Sequence, residues 1–497
     1  MKSAATLGLL VAQVAWLGGC ATVDPRADFA RAHRHIAGAT DVESLYDPEG
    51  EAQVSEYVGC LLEDGLSADE AVQVSLLNHP VLQGLFFRIG VGRADVVQSG
   101  LLSNPSIGVA GRFPDGGGLL NIEASLAQNL VDLWQIPRRR RVAEQVLTQT
   151  VLEVAHTVAR QALEAKQAYF RCVAAEGLVE IAQQSLAGAR QLVTLTETLR
   201  DAGAVSSVDV NLSLAAMQEV EIELRRAELS AYEQRTELAR LLGLTDEATS
   251  LSLTDPVPDP PFRHPTVDVL LGIARDHRLD VAAARAELSA LADRLALERQ
   301  SVFRVVEVGI EVEREARPRS SDGNFVGKTV RSSLQAGEFT VSPDFGDAAD
   351  EALVVVGPSL SVELPLFDQN QAQIAKAIYT YQAAAKLVQA LLLDITHDVR
   401  LAHHRAEVAC EVAEYFRSQL VPLRERGLAM AREAYQAGKV SLLAVLESQR
   451  ALQDARAEML KAQRESAEAW IEIERVIARP ASSWLAPPPA EQPESSE

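Results

Sequence analysis

Between Pro137 and about Leu199 the chain runs in Ala, Leu, Glu, Arg and Gln with only Gly177 and Gly188 as interruptions. About sixty residues at a rise of 1.5 Å each make a rod of roughly 90 Å. A globular core has no use for that length. Pro137 suits a first helical position, where its missing N–H costs nothing. The rod stops at "DAGAVSSVDV", residues 201–210, and a second helical pattern then runs from about Ser206 to Leu242. The decapeptide therefore joins two antiparallel helices at a tip.

A near copy of this tip, "QAGKVSLLAV", returns at 436–445, an offset of 235. It is part of a duplicated unit. Leu82 corresponds to Val281 at an offset of 199 and Gly108 to Gly309 at 201. The first repeat, residues 63–243, reads as a helix, two strands and two long helices. Its helix starts on Ser67 with Glu70 three residues on, a capping box, and extends to about Leu102. The linker 244–264 contains "DPVPDPPFRHP". The second repeat, 265–479, has the same order: a helix from about Val267, two strands, a helix from about Gln371 to Tyr435, the second tip and a helix from about Ser441 to Ile477. The loop 316–351 carries the extra length, and 480–497 reads as a disordered tail.

The strands carry the most information. In "VVEVGIEVERE" Val306, Val308, Ile310 and Val312 alternate with Glu307, Gly309, Glu311 and Glu313. In "VVVGPSLSVEL" Val354, Val356, Leu360, Val362 and Leu364 alternate with Gly357, Ser359, Ser361 and Glu363. The first repeat pairs "SIGVAG" with "LNIEASLAQ", where Glu123 lies on the polar side and Gln128 breaks the alternation. About ten residues is the length that a tilted strand needs to cross hydrocarbon. A half-buried strand of a soluble sheet shows the same alternation, so export decides between the two. Four strands cannot close a barrel, and open edges in lipid leave N–H and C=O groups unpaired. Three protomers would supply twelve strands. In the last helix Leu452, Ala455, Met459, Ala462 and Ser466 form a narrow seam of coiled-coil type.

The first twenty residues, "MKSAATLGLLVAQVAWLGGC", have one Lys, an apolar run and small residues before Cys20. They read as an export signal over 1–19, followed by a polar, irregular tether over 20–62. Leu17-Gly18-Gly19-Cys20 resembles the bacterial lipobox, which implies acylation of Cys20, and Ala21 fits sorting to the outer membrane of a Gram-negative cell. An ordinary signal peptide with an incidental Cys is the alternative. The net charge of −22 argues against a nucleic-acid partner. Cys60, Cys172 and Cys410 are too few and too far apart for a disulfide framework or a CxxC metal motif. Cys172 and Cys410 read as small apolar helix residues.

The duplicated order, "NHPVLQ" at 78–83, "LPLFDQNQAQ" at 364–373 and both Ala-Gly-x-x-Ser tips make the chain similar to the TolC family of outer membrane efflux proteins. The resemblance covers about Leu62 to Arg479. It implies a mainly α fold with a membrane β-barrel: long antiparallel hairpins forming an α-barrel, and four strands per protomer in a 12-stranded barrel of a homotrimer. It implies a passive duct across periplasm and outer membrane, with a periplasmic adaptor protein and an inner-membrane pump as partners. It implies no enzyme, and no cofactor or catalytic constellation is read from the sequence. A non-conducting coiled-coil envelope scaffold lipoprotein is the alternative function.

Matched to the family's periplasmic gate, Asp209 takes an acidic position, Tyr435 that of the gate tyrosine and Glu447 that of a pore-facing acid. Val440 and Ala444 stand where an arginine and another acid would be. A plain helix cap is the other reading of Asp209. Gly203, Ser206, Gly438 and Ser441 form the tips where an adaptor would dock. Glu123, Glu307, Glu311, Glu313 and Glu363 would line the barrel lumen. His397, His403, His404 and Cys410 share one helix but read as ordinary helix residues, and no metal site is assigned. "PRRRR" at 137–141 sets cations in a first turn, against the helix dipole. They call for a partner, either anionic lipid headgroups near Trp134 or acids of a neighbouring protomer.

Overall fold

The computed structural model describes residues 21–42, 45–46, 48, 51–63, 65–112, 120–245, 251–259, 265–316 and 352–484. The export signal, Cys20, the loop 317–351 and the tail from 485 lie outside them. The elements are α1 (Arg26–Thr40), α2 (Glu51–Glu63), α3 (Ala68–Asn78), α4 (Pro80–Ser99), β1 (Ser106–Arg112), β2 (Asn121–Asn129), α5 (Val131–Asp201), α6 (Ser207–Leu242), α7 (Val267–His277), α8 (Leu279–Gln300), β3 (Val306–Ala316), β4 (Ala352–Val362), α9 (Gln371–Tyr415), a π-turn (Phe416–Leu420), α10 (Val421–Gln436) and α11 (Leu442–Ile477). From α3 onward the order helix, helix, strand, strand, long helix, long helix occurs twice, which is the duplication read from the sequence. Leu82 and Val281, the paired positions of the two repeats, are both buried.

The chain divides into two compact units, one of Met1–Val23, Ala94–Val146 and Glu287–Ala385, the other of Asp24–Arg93, Leu147–Ala286 and Lys386–Glu497. The first holds the sheet, the second the helical hairpins and tips.

Four boundaries differ from the sequence reading. The stretch 20–62 is not irregular over its described part: α1 buries Phe29, Ala32, Ile36 and Ala39. Phe29, His33 and Tyr46 pack around the ring of Phe86. Spread among polar residues, these apolar positions are too few to stand out. Asp28 is buried but paired with Arg31 at 3.0 Å and Arg93 at 2.6 Å, as a buried carboxylate must be. The first helix of each repeat is broken in two, at His79 and at Arg278. The long helix begins at Val131, not Pro137, which lies inside it. The Asn129 side chain accepts the Val131 N–H at 2.9 Å and starts the helix early. The helix read from Gln371 to Tyr435 contains a π-turn just before Pro422, where Val421 N–H bonds Phe416 O, five residues back. Pro422 has no N–H and its ring crowds the carbonyl four residues before it, so one wide turn accommodates it.

The two family-like motifs have structural duties. In "NHPVLQ" the Asn78 amide donates to Leu242 O and Gly243 O, both at 3.0 Å, and Ser75 donates to Leu241 O at 2.8 Å. Together they satisfy the last carbonyls of α6. Gly243, at φ 71°, is required twice over, since a Cβ there would lie 2.8 Å from Asn78 O. In "LPLFDQNQAQ" Asn370 adopts φ 62°, a left-handed conformation that Asn tolerates. Its amide donates to Glu298 O at 2.7 Å and to the Glu298 carboxylate at 2.8 Å, tying the start of α9 to the end of α8.

Tyr169 is fully buried, and its hydroxyl donates to Leu66 O at 2.9 Å while accepting from Thr254 N and Asp255 N. The Asp255 carboxylate in turn accepts the first N–H of α3, from Ala68, at 2.9 Å. The described part of the linker is thus fastened to the hairpin body. The capping box of Ser67 and Glu70 forms as the sequence indicates.

Candidate functional site

The sheet has the order β1-β2-β3-β4, antiparallel throughout, leaving β1 and β4 as edges. Its register sorts side chains by polarity, because successive residues of a strand point to opposite faces. Ile107 pairs with Leu126, Leu126 with Ile310, Ala124 with Val312 and Val312 with Val356, a continuous apolar face. That face is open, with Ile107 78% and Leu360 69% exposed. The other face carries Glu123 opposite Glu313, Glu311 opposite Ser125 and Gly357, and Glu307 opposite Asn129 and Ser361. Glu363 follows on the same parity, its N–H bonding Val305 O at 3.1 Å. Four residues cross the rule: Gln128 lies opposite Val308 on the apolar face and Leu353 opposite Glu315 on the polar one, and two more stand at the same end as Leu353. Val355 lies opposite Glu313 on the polar face, and Arg314 lies between Ile122 and Val354 on the apolar one.

Gly108 and Gly309, equivalent by duplication, lie opposite Ser125 and Ser359. A Cβ would meet those serine hydroxyls at 2.6 and 2.7 Å. Gln128, which breaks the alternation, donates from its amide to Ser103 O at 2.9 Å at the end of the sheet. Arg112 reaches Glu123 at 2.8 Å, an ion pair that the sequence reading missed.

At the helical end of the sheet the arginine run lies further into α5 than a first turn, and two of its members have partners within the chain. Arg139 pairs with Asp132 at 2.5 Å and Arg140 with Glu144 at 3.0 Å. Burial works against the Asp132 charge, but hydrogen bonds from Ser103 and Arg139 outweigh it and hold the carboxyl below its usual range. The expectation of cations opposing the dipole is therefore corrected: the acid occupies the first turn, and the arginines sit one to two turns on. Leu133 and Trp134 are exposed beside them.

In the helical unit both tips have one geometry. Gly203 has φ 73° and Gly438 φ 67°, conformations that favour glycine. Ala204 N–H bonds Leu199 O, and Lys439 N–H bonds Ala434 O, each 2.8 Å and each spanning five residues, as in a Schellman helix end. They differ at the next helix start. Ser206 and Asp209 form a reciprocal capping box, with the Asp209 carboxylate accepting from Ser206 N at 2.9 Å and from its hydroxyl at 2.8 Å. Those bonds hold the Asp209 carboxyl below its usual range. Ser441 has the same N-cap backbone but no side-chain bond, because Ala444 stands at the third helical position where Asp209 stands in the first tip. Asp209 is a cap.

Tyr435 is buried among Leu192, Leu428, Leu442 and Val445. Its hydroxyl has no hydrogen-bond partner among the described residues, and burial, then the Asp209 carboxylate, pushes its pKa up. Glu447 is exposed and lines a groove of about 300 Å³ with Leu212, Ser213 and Gln449. Behind the tips the buried hydroxyls of Thr196 and Ser213 bond each other at 2.8 Å, pinning α5 to α6. The sequence carried no signal for that pair. The seam residues Leu452, Ala455, Ala462 and Ser466 of α11 are buried.

Cys172 is buried and its thiol pushed up to about 12, by burial first and then by Glu176. Cys410 is buried and accepts the Trp470 indole N–H at 3.1 Å. His403 meets Pro265 O at 2.9 Å. Among the described residues no group of three or more His, Cys, Asp or Glu is arranged to hold a metal ion, and no helix is long and apolar enough to cross a membrane.

Two long helical hairpins from a duplicated unit and a four-stranded sheet with one bare apolar face make up the architecture. Solved structures share it. The outer-membrane channel OprN aligns with a TM-score of 0.63 at 18% identity, covering 89% of this chain and 95% of that one. CusC, whose structures describe folding and transmembrane channel formation, aligns at 0.64 and 16% identity, covering 82% and 91%. Residues 270–479 match the family model described as Outer membrane efflux protein. By sequence the chain is 23% identical to the cobalt-zinc-cadmium resistance protein CzcC of Cupriavidus metallidurans, over 63% of this chain and 66% of that protein. It is 22% identical to nodulation protein T of Rhizobium leguminosarum bv. viciae, over 87% and 83%. Over residues 270–479 the chain is thus similar to outer membrane efflux proteins, and its fold is that of the outer-membrane channels.

Proposed function

We propose that three copies of the chain close a 12-stranded barrel in the outer membrane and a helical duct beneath it, forming the passive exit channel of a tripartite efflux system. The observation that carries this is the sheet. Its Val/Ile face is exposed and, among the described residues, no strand pairs with the outer sides of its two edge strands, which is stable in lipid only when neighbouring copies pair edge to edge. Cys20, acylated after removal of 1–19, anchors each protomer. The acids Glu123, Glu307, Glu311, Glu313 and Glu363 then line the lumen, since the opposite register would place carboxylates in hydrocarbon. The tips around Gly203, Ser206, Gly438 and Ser441 receive the adaptor that joins the duct to an inner-membrane pump, and Asp209, Tyr435 and Glu447 shape the periplasmic entrance. Val440 and Ala444 stand where the resemblance would put an arginine and a second acid, so no salt-bridged lock is assigned to the second tip. The similarity to a cobalt-zinc-cadmium resistance protein makes divalent cations the first cargo to assay.

The purified full chain, reconstituted in planar bilayers, provides the test. Stepwise conductance from an SDS-resistant trimer is expected. A trimer that stays silent even after opening mutations at Asp209 and Glu447 would favour a non-conducting scaffold.

A further inference from the structure

Arg314 breaks the polarity rule of its sheet. It continues the parity of Val308, Ile310 and Val312, and its neighbours across the two ladders are Ile122 and Val354, both exposed. No ion pair or hydrogen bond engages its guanidinium among the described residues. Carboxylates lie close at hand on the opposite face, where Glu313 is its chain neighbour and Glu123 pairs with Arg112. A one-residue shift would have placed the guanidinium among them. Instead the cation stands on the face that must meet lipid.

Its height on the strand matters. β3 enters from α8 at Val306 and leaves into the loop, so Arg314 is eight residues from the helical end. At about 3.3 Å per residue, that is roughly 26 Å along the strand, or about 20 Å of membrane depth at the usual tilt. The apolar band of such barrels is about 25 Å tall, and an Arg side chain reaches several ångströms further while its stem stays in hydrocarbon. The guanidinium therefore emerges at the headgroup level of the leaflet on the loop side. A planar fork of donors there matches a phosphate monoester better than any neutral headgroup.

We propose that Arg314 binds the phosphate of an outer-leaflet lipid headgroup, one per protomer, at the outer rim of the apolar face. This rests on the barrel reading above.

The test uses the full-length trimer, with lipid A as probe. Native mass spectrometry of wild-type trimer incubated with diphosphoryl lipid A should show retained lipid. Arg314→Gln should lower retention about tenfold, the loss of one bidentate charge-assisted contact. Arg112→Gln, on the polar face, should leave retention unchanged. Equal retention by Arg314→Gln overturns the proposal, as does displacement of the lipid by equimolar inorganic phosphate. If Arg314→Gln does not assemble, the ligand supplies the comparison: phosphate-free lipid A should bind wild type about tenfold more weakly, and equal binding contradicts the proposal. Quenching of an Ile310→Trp variant by brominated lipid separates the two levels. No quenching means the face is not in lipid and the barrel reading fails. Quenching with unchanged lipid A retention in Arg314→Gln removes the Arg314 site alone.

Discussion

The Asp209 carboxylate accepts two bonds from Ser206, one from its N–H and one from its hydroxyl, so the first tip is locked at its helix start while the second, with Ala444 in the equivalent place, is not. The bonds need an ionised carboxylate, and they hold its pKa below the usual range. Their contribution is therefore complete above the ordinary carboxylate pKa and disappears as pH falls through the depressed one. Protection factors against hydrogen exchange in the first turn of α6, corrected for the intrinsic pH dependence of exchange, should fall on acidification, and about fivefold at neutral pH in Asp209→Ala. Ala444→Asp should slow exchange in the first turn of α11 by a similar factor. No change in either variant would mean that the caps do not set tip order.

At the tips themselves the glycines are needed for backbone conformation and not for space, since a Cβ on Gly203 or Gly438 meets nothing within 4 Å. Gly438→Asn should be tolerated. Gly203→Val and Gly438→Val should each cost about 1 kcal/mol or more locally, blocking export and leaving the trimer intact. Normal resistance in cells carrying both valines would remove the tips as the adaptor's docking place.

Gly243 combines the same conformation with a close approach to Asn78 O. Gly243→Ala should consequently lower thermal stability more than Gly438→Ala does, by a margin that scanning calorimetry resolves. Equal losses would show that the Asn78 contact yields freely.

Exchanging Cys20 for Ala should abolish palmitate incorporation and leave the protein mislocalised, because acyl chains supply the stable anchor before barrel insertion. Label retained by the Cys20→Ala protein would exclude lipidation at that residue.

The parts legible in the sequence were those with a period. Alternation in β3 and β4, the 3.6-residue pattern of the long helices and the repeated tip each repeat often enough to exceed noise. Boundaries set by single contacts were not legible. The start of α5 depends on Asn129, while the break at His79 comes directly before Pro80, where a following proline favours extended backbone, and the π-turn comes directly before Pro422. The α1 helix escaped because its few apolar residues find Phe86 only in three dimensions. The place of Arg314 on the apolar face is legible from parity alone, two residues after Val312.

In the proposed channel the polar face of the sheet lines an open pore. Glu307 and Glu311 lie four residues apart on that face, with Gly309 between them, and threefold repetition would stack them as negative rings that concentrate cations. Reversal potentials across planar bilayers under a KCl gradient measure this directly. The wild-type channel should select cations, with selectivity fading as salt shortens the Debye length below about 10 Å at 0.1 M, and Glu307→Gln/Glu311→Gln should lose most of it. Anion selectivity in the wild type, or an unchanged reversal potential in the double variant, would contradict the register or the barrel.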